Sequence, residues 1–140
     1  MLEHPLTVPV SDKDYRLVED YTYTWEKDGN SYRITVPAGF IFDGASVPRI
    51  AWTISGIRPD GLIRAAALIH DWIYHYDGLL PQGSHQYLDK DNVWKNVYGR
   101  WKRKDADRIF ARIMREAGMS KFKRRTAYLA VRIFGGFRWR

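Results

Sequence analysis

The sequence contains no cysteine. That excludes a disulfide framework, a thiolate zinc site and a cysteine nucleophile, and leaves packing alone to stabilise the chain. Long hydrophobic runs are also missing. No stretch approaches the roughly 18 to 20 apolar residues that a membrane span needs. Met1 to Pro9 has neither a basic start nor a long apolar core, so no secretory signal is expected there. There is no internal repeat and no low-complexity linker.

What is present is ordinary in bulk and unusual in distribution. A chain of 140 residues reads as a single domain, 1–140, long enough to bury a core. Hydrophobic residues at 45% and charged residues at 28% exclude wholesale disorder. Aromatics reach 15%, which leaves aromatic surface to spare for a partner. The formal charge of +7 is concentrated at one end: from Lys95 onward 15 Lys and Arg face 3 acids, whereas the preceding segment carries −5. Such a cationic block suits an anionic partner: nucleic acid bound without sequence preference, a phospholipid surface or an acidic protein face. A solvated helical face would look the same. The residues expected to form the patch are Lys102, Arg103, Lys104, Lys123, Arg124 and Arg125.

The pattern along the chain predicts an α+β fold, with an N-terminal antiparallel hairpin or small sheet followed by three to four packed helices. Residues 1–45 read mostly as strands. Tyr21-Thr22-Tyr23-Thr24-Trp25 alternates, Lys27-Asp28-Gly29-Asn30 carries turn chemistry, and Ser31 to Val36 returns. Phe40 to Phe42 makes a third short strand. Residues 46–136 read mostly as helices: a short one at about Arg49 to Ser55, a longer one from Leu62 to about Tyr76 stopped by Asp77-Gly78, then Asp105 to Ala117 and Ser120 to about Phe134. Residues 79–104 read as a long aromatic surface excursion, with a short helix near Asp91 to Val97. Residues 137–140 form a basic aromatic tail.

One constellation could carry chemistry. His70 and Tyr74 lie four apart on the long middle helix and share a face, with Asp71 beside them. That face is apolar, so a His–Asp pair emerging there must be hydrogen-bonded or liganded. Asp107, at the edge of the next helix's apolar face, is the candidate partner of His70. His with two carboxylates suits two jobs. Asp107 could hold one ring nitrogen of His70 while the other takes a proton from water, leaving Asp71 to bind a hard cation such as calcium. Alternatively all three could ligate a transition metal. A buried polar knot fixing two helices is a third outcome, with no chemistry at all. Asp43, before Gly44 in a tight loop, is either a further metal ligand or a turn acceptor. Ser46 reads as a helix cap.

Four blocks together resemble a known family. Phe42-Asp43-Gly44-Ala45-Ser46-Val47-Pro48, His70-Asp71-Trp72-Ile73-Tyr74, Ala106-Asp107-Arg108-Ile109-Phe110, and Tyr128 to Arg132 with Phe134-Gly135 look like a family of tailed phages and prophages, domain of unknown function 1353. The resemblance implies a phage or prophage gene product acting in the host cytoplasm or the virion, and brings no established activity. His-Asp-x-x-Tyr followed by Ala-Asp-x-x-Phe is also similar to the core of secretory-type phospholipases. That second resemblance implies His70 as the base that activates water, Asp107 orienting it, Asp71 on calcium, and Tyr74 hydrogen-bonded to the buried Asp.

Two functions are therefore expected in competition. One is a metal-assisted, phospholipase-like hydrolase. The other is a non-enzymatic component of a virion tail or neck, gripping neighbouring subunits with its basic aromatic C-terminus.

Overall fold

The computed structural model describes residues 2–11, 14–42, 64–137 (137 without its side chain) and 139. The loop expected at 43–48, the short helix expected at 49–55 and the start of the long helix lie outside the described residues.

Alternation in the N-terminal third becomes strand. In β3 (Tyr21–Lys27) the side chains of Tyr21, Tyr23 and Trp25 are buried and Thr22 and Thr24 are exposed, the period of two that a half-buried strand requires. It pairs antiparallel with β4 (Asn30–Val36). The connection is Asp28-Gly29, with φ of 54° and 80°. Both residues thus occupy the left-handed region that a tight two-residue hairpin demands and that Gly and Asp tolerate. A separate three-stranded antiparallel sheet joins β1 (Thr7–Pro9), β2 (Tyr15–Leu17) and β5 (Ile41–Phe42) in the order β1-β2-β5.

The larger sheet does not end at β4. Residues expected to form a surface excursion supply β6 (His85–Leu88) and β7 (Trp94–Asn96), giving a four-stranded sheet in the order β3-β4-β6-β7. The helix expected near Asp91 to Val97 is absent, and a strand stands there instead. Asn92 has φ of 60°, which a continuing helix cannot accept. Asp89 Oδ1 accepts from the N–H groups of Asp91 and Val93 at 2.8 and 2.9 Å, closing a turn between two strands. Each strand is only three or four residues long, too short to show an alternation. Pairing with β4, distant in sequence, stabilises β6, and β6 in turn offers an edge to β7.

Three helices are found among the described residues: α1 (Arg64–His75), α2 (Arg103–Glu116) and α3 (Lys121–Phe134). Helix α1 is the centre of the molecule. Every residue from Ala65 to Tyr74 is buried, as expected of a helix covered on all sides. It packs against α2, β4 and β5. Gly78, with φ of 86°, follows its last turn, and its N–H returns to Ile73 O at 3.0 Å. Trp101 O and the Trp139 ring leave no room for a Cβ at this glycine. Helix α2 ends in a Schellman motif: Met119 N reaches Met114 O at 3.1 Å and Gly118 N reaches Arg115 O at 3.0 Å. Helix α3 is opened by Ser120, whose Oγ accepts from Lys123 N at 3.3 Å.

The tail does not project as a free aromatic arm at Trp139. This ring lies edge-on to Tyr74, with centroids 5.1 Å apart. Its apolar surface is better covered against α1 than left in water.

Sheet and helix are joined through one buried hydroxyl. Trp72 Nε1 on α1 donates to Ser84 Oγ at 2.9 Å, and Ser84 Oγ donates to Thr35 O of β4 at 2.9 Å. Ser84→Ala removes the acceptor of a buried indole N–H. The expected loss is about 1 to 3 kcal/mol of unfolding free energy, read as a lowered urea midpoint at unchanged slope. An unchanged midpoint would show that this link contributes nothing.

Candidate functional site

The site is built where the three helices meet. His70 and Tyr74 stand one turn apart on α1, as the four-residue spacing dictates. Their rings are in contact, with centroids 4.2 Å apart, and Phe110 of α2 lies 4.8 Å from the imidazole. Into this apolar setting α2 brings Asp107. His70 Nε2 is 2.7 Å from Asp107 Oδ1, and Tyr74 OH donates to the same oxygen at 2.5 Å. His70 and Asp107 are both 0% exposed.

The other carboxylate oxygen faces two guanidinium groups. Arg132 Nη1 of α3 donates to Asp107 Oδ2 at 2.8 Å. Arg103, one turn before Asp107 on α2, stands 3.6 Å from Oδ2. Arg103 also donates to Val131 O and Arg132 O at 2.9 and 2.8 Å. A cation at those carbonyls is favoured by the dipole of α3. Asp107 is thus the meeting point of side chains from three helices.

Charge follows from this geometry. Burial pushes the Asp107 carboxyl upward, but the hydrogen bond and charge of His70, then Tyr74 and Arg132, outweigh it and hold the group below the ordinary carboxylate value. Burial, reinforced by the Asp107 carboxylate, drives the Tyr74 phenol well above its usual range, so it stays a donor. An ionised carboxylate can only accept. Nε2 of His70 therefore carries the proton in its bond to Asp107, and a neutral ring has its lone pair on Nδ1.

Asp71 is also buried, at 8% exposure. One residue further along α1, it stands outside the set of groups that contact Asp107, and it is itself partnered. Asp43 lies outside the described residues. Among the described residues no group of three or more His, Cys, Asp or Glu side chains could hold a metal ion. Of the basic patch, Lys102, Lys104, Lys123 and Arg125 are exposed. Arg103 is not part of that surface, because its guanidinium is turned inward onto α3.

Two members of the cluster were not expected from sequence. Arg103 had a readable signal, since it precedes Asp107 by four residues, the spacing of an ion pair on one helix face. Arg132 had none, because only the approach of α3 brings it to Asp107.

A family model described as "Protein of unknown function (DUF1353)" matches residues 15–131. The chain belongs to this family. The match spans both sheets except β1, all of α1 and α2, and most of α3, and so includes every element that shapes the site except Arg132. No curated protein and no solved structure matches the chain.

The Asp107 cluster makes stability depend on pH. Its folded-state pKa is below the roughly 3.9 of an unfolded aspartate. The contribution is therefore complete above that value and is lost as pH falls through the folded value. Asp107→Asn is expected to lose about 2 to 4 kcal/mol at neutral pH, since it leaves the half-buried Arg103 and Arg132 without their counter-charge and weakens the bonds from His70 and Tyr74. It should also flatten the acid limb of stability below about pH 4. Urea titrations at stepped pH check both, and parallel acid limbs in wild type and variant would contradict the assignment.

Proposed function

We propose that this chain is a phage- or prophage-encoded hydrolase of the phospholipase type, with His70 as its general base. The observation that carries the reading is the 2.7 Å contact between His70 Nε2 and Asp107 Oδ1. It fixes the orientation of the ring and the tautomer it takes, as a carboxylate beside a general base does. Tyr74 and Arg132 hold the carboxylate so that it cannot turn away from the imidazole. The carboxylate then faces the positive charge that develops on the ring as the water attacks an ester carbonyl.

Asp71 fits as a ligand for a hard cation: it is a carboxylate next to the base and separate from the Asp107 cluster. Calcium sites take six to eight oxygens, about half of them from backbone carbonyls and water, so one or two carboxylates suffice. A calcium ion held there would polarise the ester carbonyl. Asp43 is the second carboxylate proposed for it. The substrate surface would be anionic phospholipid, attracted by the exposed lysines and arginines that follow Trp101.

A second reading is favoured by the complete burial of His70 and Asp107. In it the cluster only locks the helices together, and the chain is a structural part of a virion tail or neck.

The deciding assay is release of fatty acid from phospholipid vesicles, with and without calcium. Wild type should hydrolyse lipid. His70→Gln should lose about 10²- to 10⁴-fold in rate while keeping its secondary structure. Asp71→Asn should lose calcium binding in calorimetric titration. No hydrolysis and no calcium binding by the wild-type protein would reject the hydrolase and leave the virion component.

A further inference from the structure

Away from the buried cluster, an open cavity of about 760 Å³ lies between the outer side of α2, the β3–β4 turn and residues 97–101. His70, Asp71, Tyr74 and Asp107 do not line it. Its size is that of a small-molecule site.

One wall is aromatic. Trp25 stacks on Tyr32 and on His85, with centroids 5.8 and 5.7 Å apart, and His85 meets Trp101 at 5.0 Å. At the mouth, Tyr98 is 77% exposed. The facing wall is cationic: Lys27, Arg100, Arg108, Arg112, Arg115 and Arg124 oppose Asp28 and Asp105, a formal excess of +4. Some of these charges are already engaged. Arg108 lies 3.8 Å from Asp105, Arg112 donates to Glu26 O at 2.9 Å, and Arg100 donates to Asp77 O at 2.7 Å. The side chains of Lys27, Arg115 and Arg124 have no such partner among the described residues.

The aromatic wall also carries an unused donor. Trp101 Nε1 donates to His85 Nδ1 at 3.2 Å, which puts the imidazole proton on Nε2. His85 Nε2 is buried and has no hydrogen-bond partner. Burial pulls the His85 pKa down to about 4, so the ring is a neutral N–H donor at physiological pH.

We propose that this cavity binds a phosphate-bearing ligand with a flat ring, the nucleotide class, stacking its ring at Tyr98 and Trp101 and placing its phosphate among Lys27, Arg115 and Arg124. Guanidinium groups match phosphate oxygens in geometry as well as charge. Exposed aromatic faces accept any base, because every base has a π-face. A single carboxylate would leave most of the positive charge uncompensated. The cavity is too small to seat a duplex, so the ligand is a free nucleotide or one unit of a single strand. This site stands whether or not His70 acts as a base.

The test is calorimetric titration of the full chain with AMP, inorganic pyrophosphate and a short oligothymidylate. AMP should bind the wild type. Combined Arg115→Gln and Arg124→Gln should weaken AMP and pyrophosphate at least tenfold. Tyr98→Ala should weaken AMP roughly tenfold, the worth of one stacked base, and leave pyrophosphate unchanged, while Tyr98→Phe should restore AMP. Tyr98 and Arg115 are exposed and Arg124 is half-buried with no side-chain partner among the described residues, so nearly unchanged urea midpoints are expected and separate these effects from misfolding. An oligothymidylate that displaces AMP and binds far more tightly identifies a single strand as the source, and equal or weaker binding identifies a free nucleotide. Absence of AMP binding at millimolar concentration, or binding indifferent to both sets of variants, would overturn the proposal.

Discussion

A carboxylate removed wholly from water must be compensated on the spot, because the cost of leaving it unpaired exceeds what any single hydrophobic contact returns. Asp107 is such a group, and its compensation dictates much of the helical layer. Its partners come from α1 (His70 and Tyr74), from α2 itself (Arg103) and from α3 (Arg132). Neither His70, Tyr74 nor Arg132 can shift by an ångström or two without losing a charged hydrogen bond in a medium where that loss is expensive. The apolar packing of Phe110, Ile113 and Met114 brings the helices together. The polar contacts at Asp107 select one rotation and one register among the arrangements that apolar packing alone would accept.

Helix α2 separates two chemical environments. At about 100° per residue, Arg103, Asp107, Phe110 and Met114 fall on one arc, and Ala111, Arg115, Arg108 and Arg112 on a second arc centred about 120° away. The first arc meets α1 and α3 and holds the His–Asp contact. The second faces the sheet edge and lines the cationic cavity. The proposed base and the proposed nucleotide site therefore lie on different faces of one helix. The basic residues of the C-terminal third also divide by this geometry. Arg103 and Arg132 are held internally to neutralise Asp107, while Arg115 and Arg124 remain on the cavity wall. Net charge alone could not distinguish these uses.

Local signals in the sequence determined a good deal. The alternation of Tyr21 to Trp25 and the Asp28-Gly29 turn specify two paired strands, because side-chain period and turn dihedrals are properties of adjacent residues. Gly78, Gly118 and Ser120 mark helix ends for the same reason. The one-turn spacing of His70 and Tyr74 places them on one face in any α-helix. The tertiary structure alone decided the rest. β6 exists because β4 offers it an edge, β7 because β6 then offers another, and nothing in their few residues announces a strand. Asp107 lies some 80 to 90° from the centre of its helix's apolar face by a wheel count, yet it is fully buried. A second helix, α3, covers that flank and widens the buried arc. Arg132 completes the cluster from a position with no sequence relation to Asp107, and Trp139 turns back onto Tyr74 instead of extending outward. Which residues are polar and how they recur is written in the chain locally. Which of them meet, and which are shut away from water, depends on contacts between segments far apart in sequence.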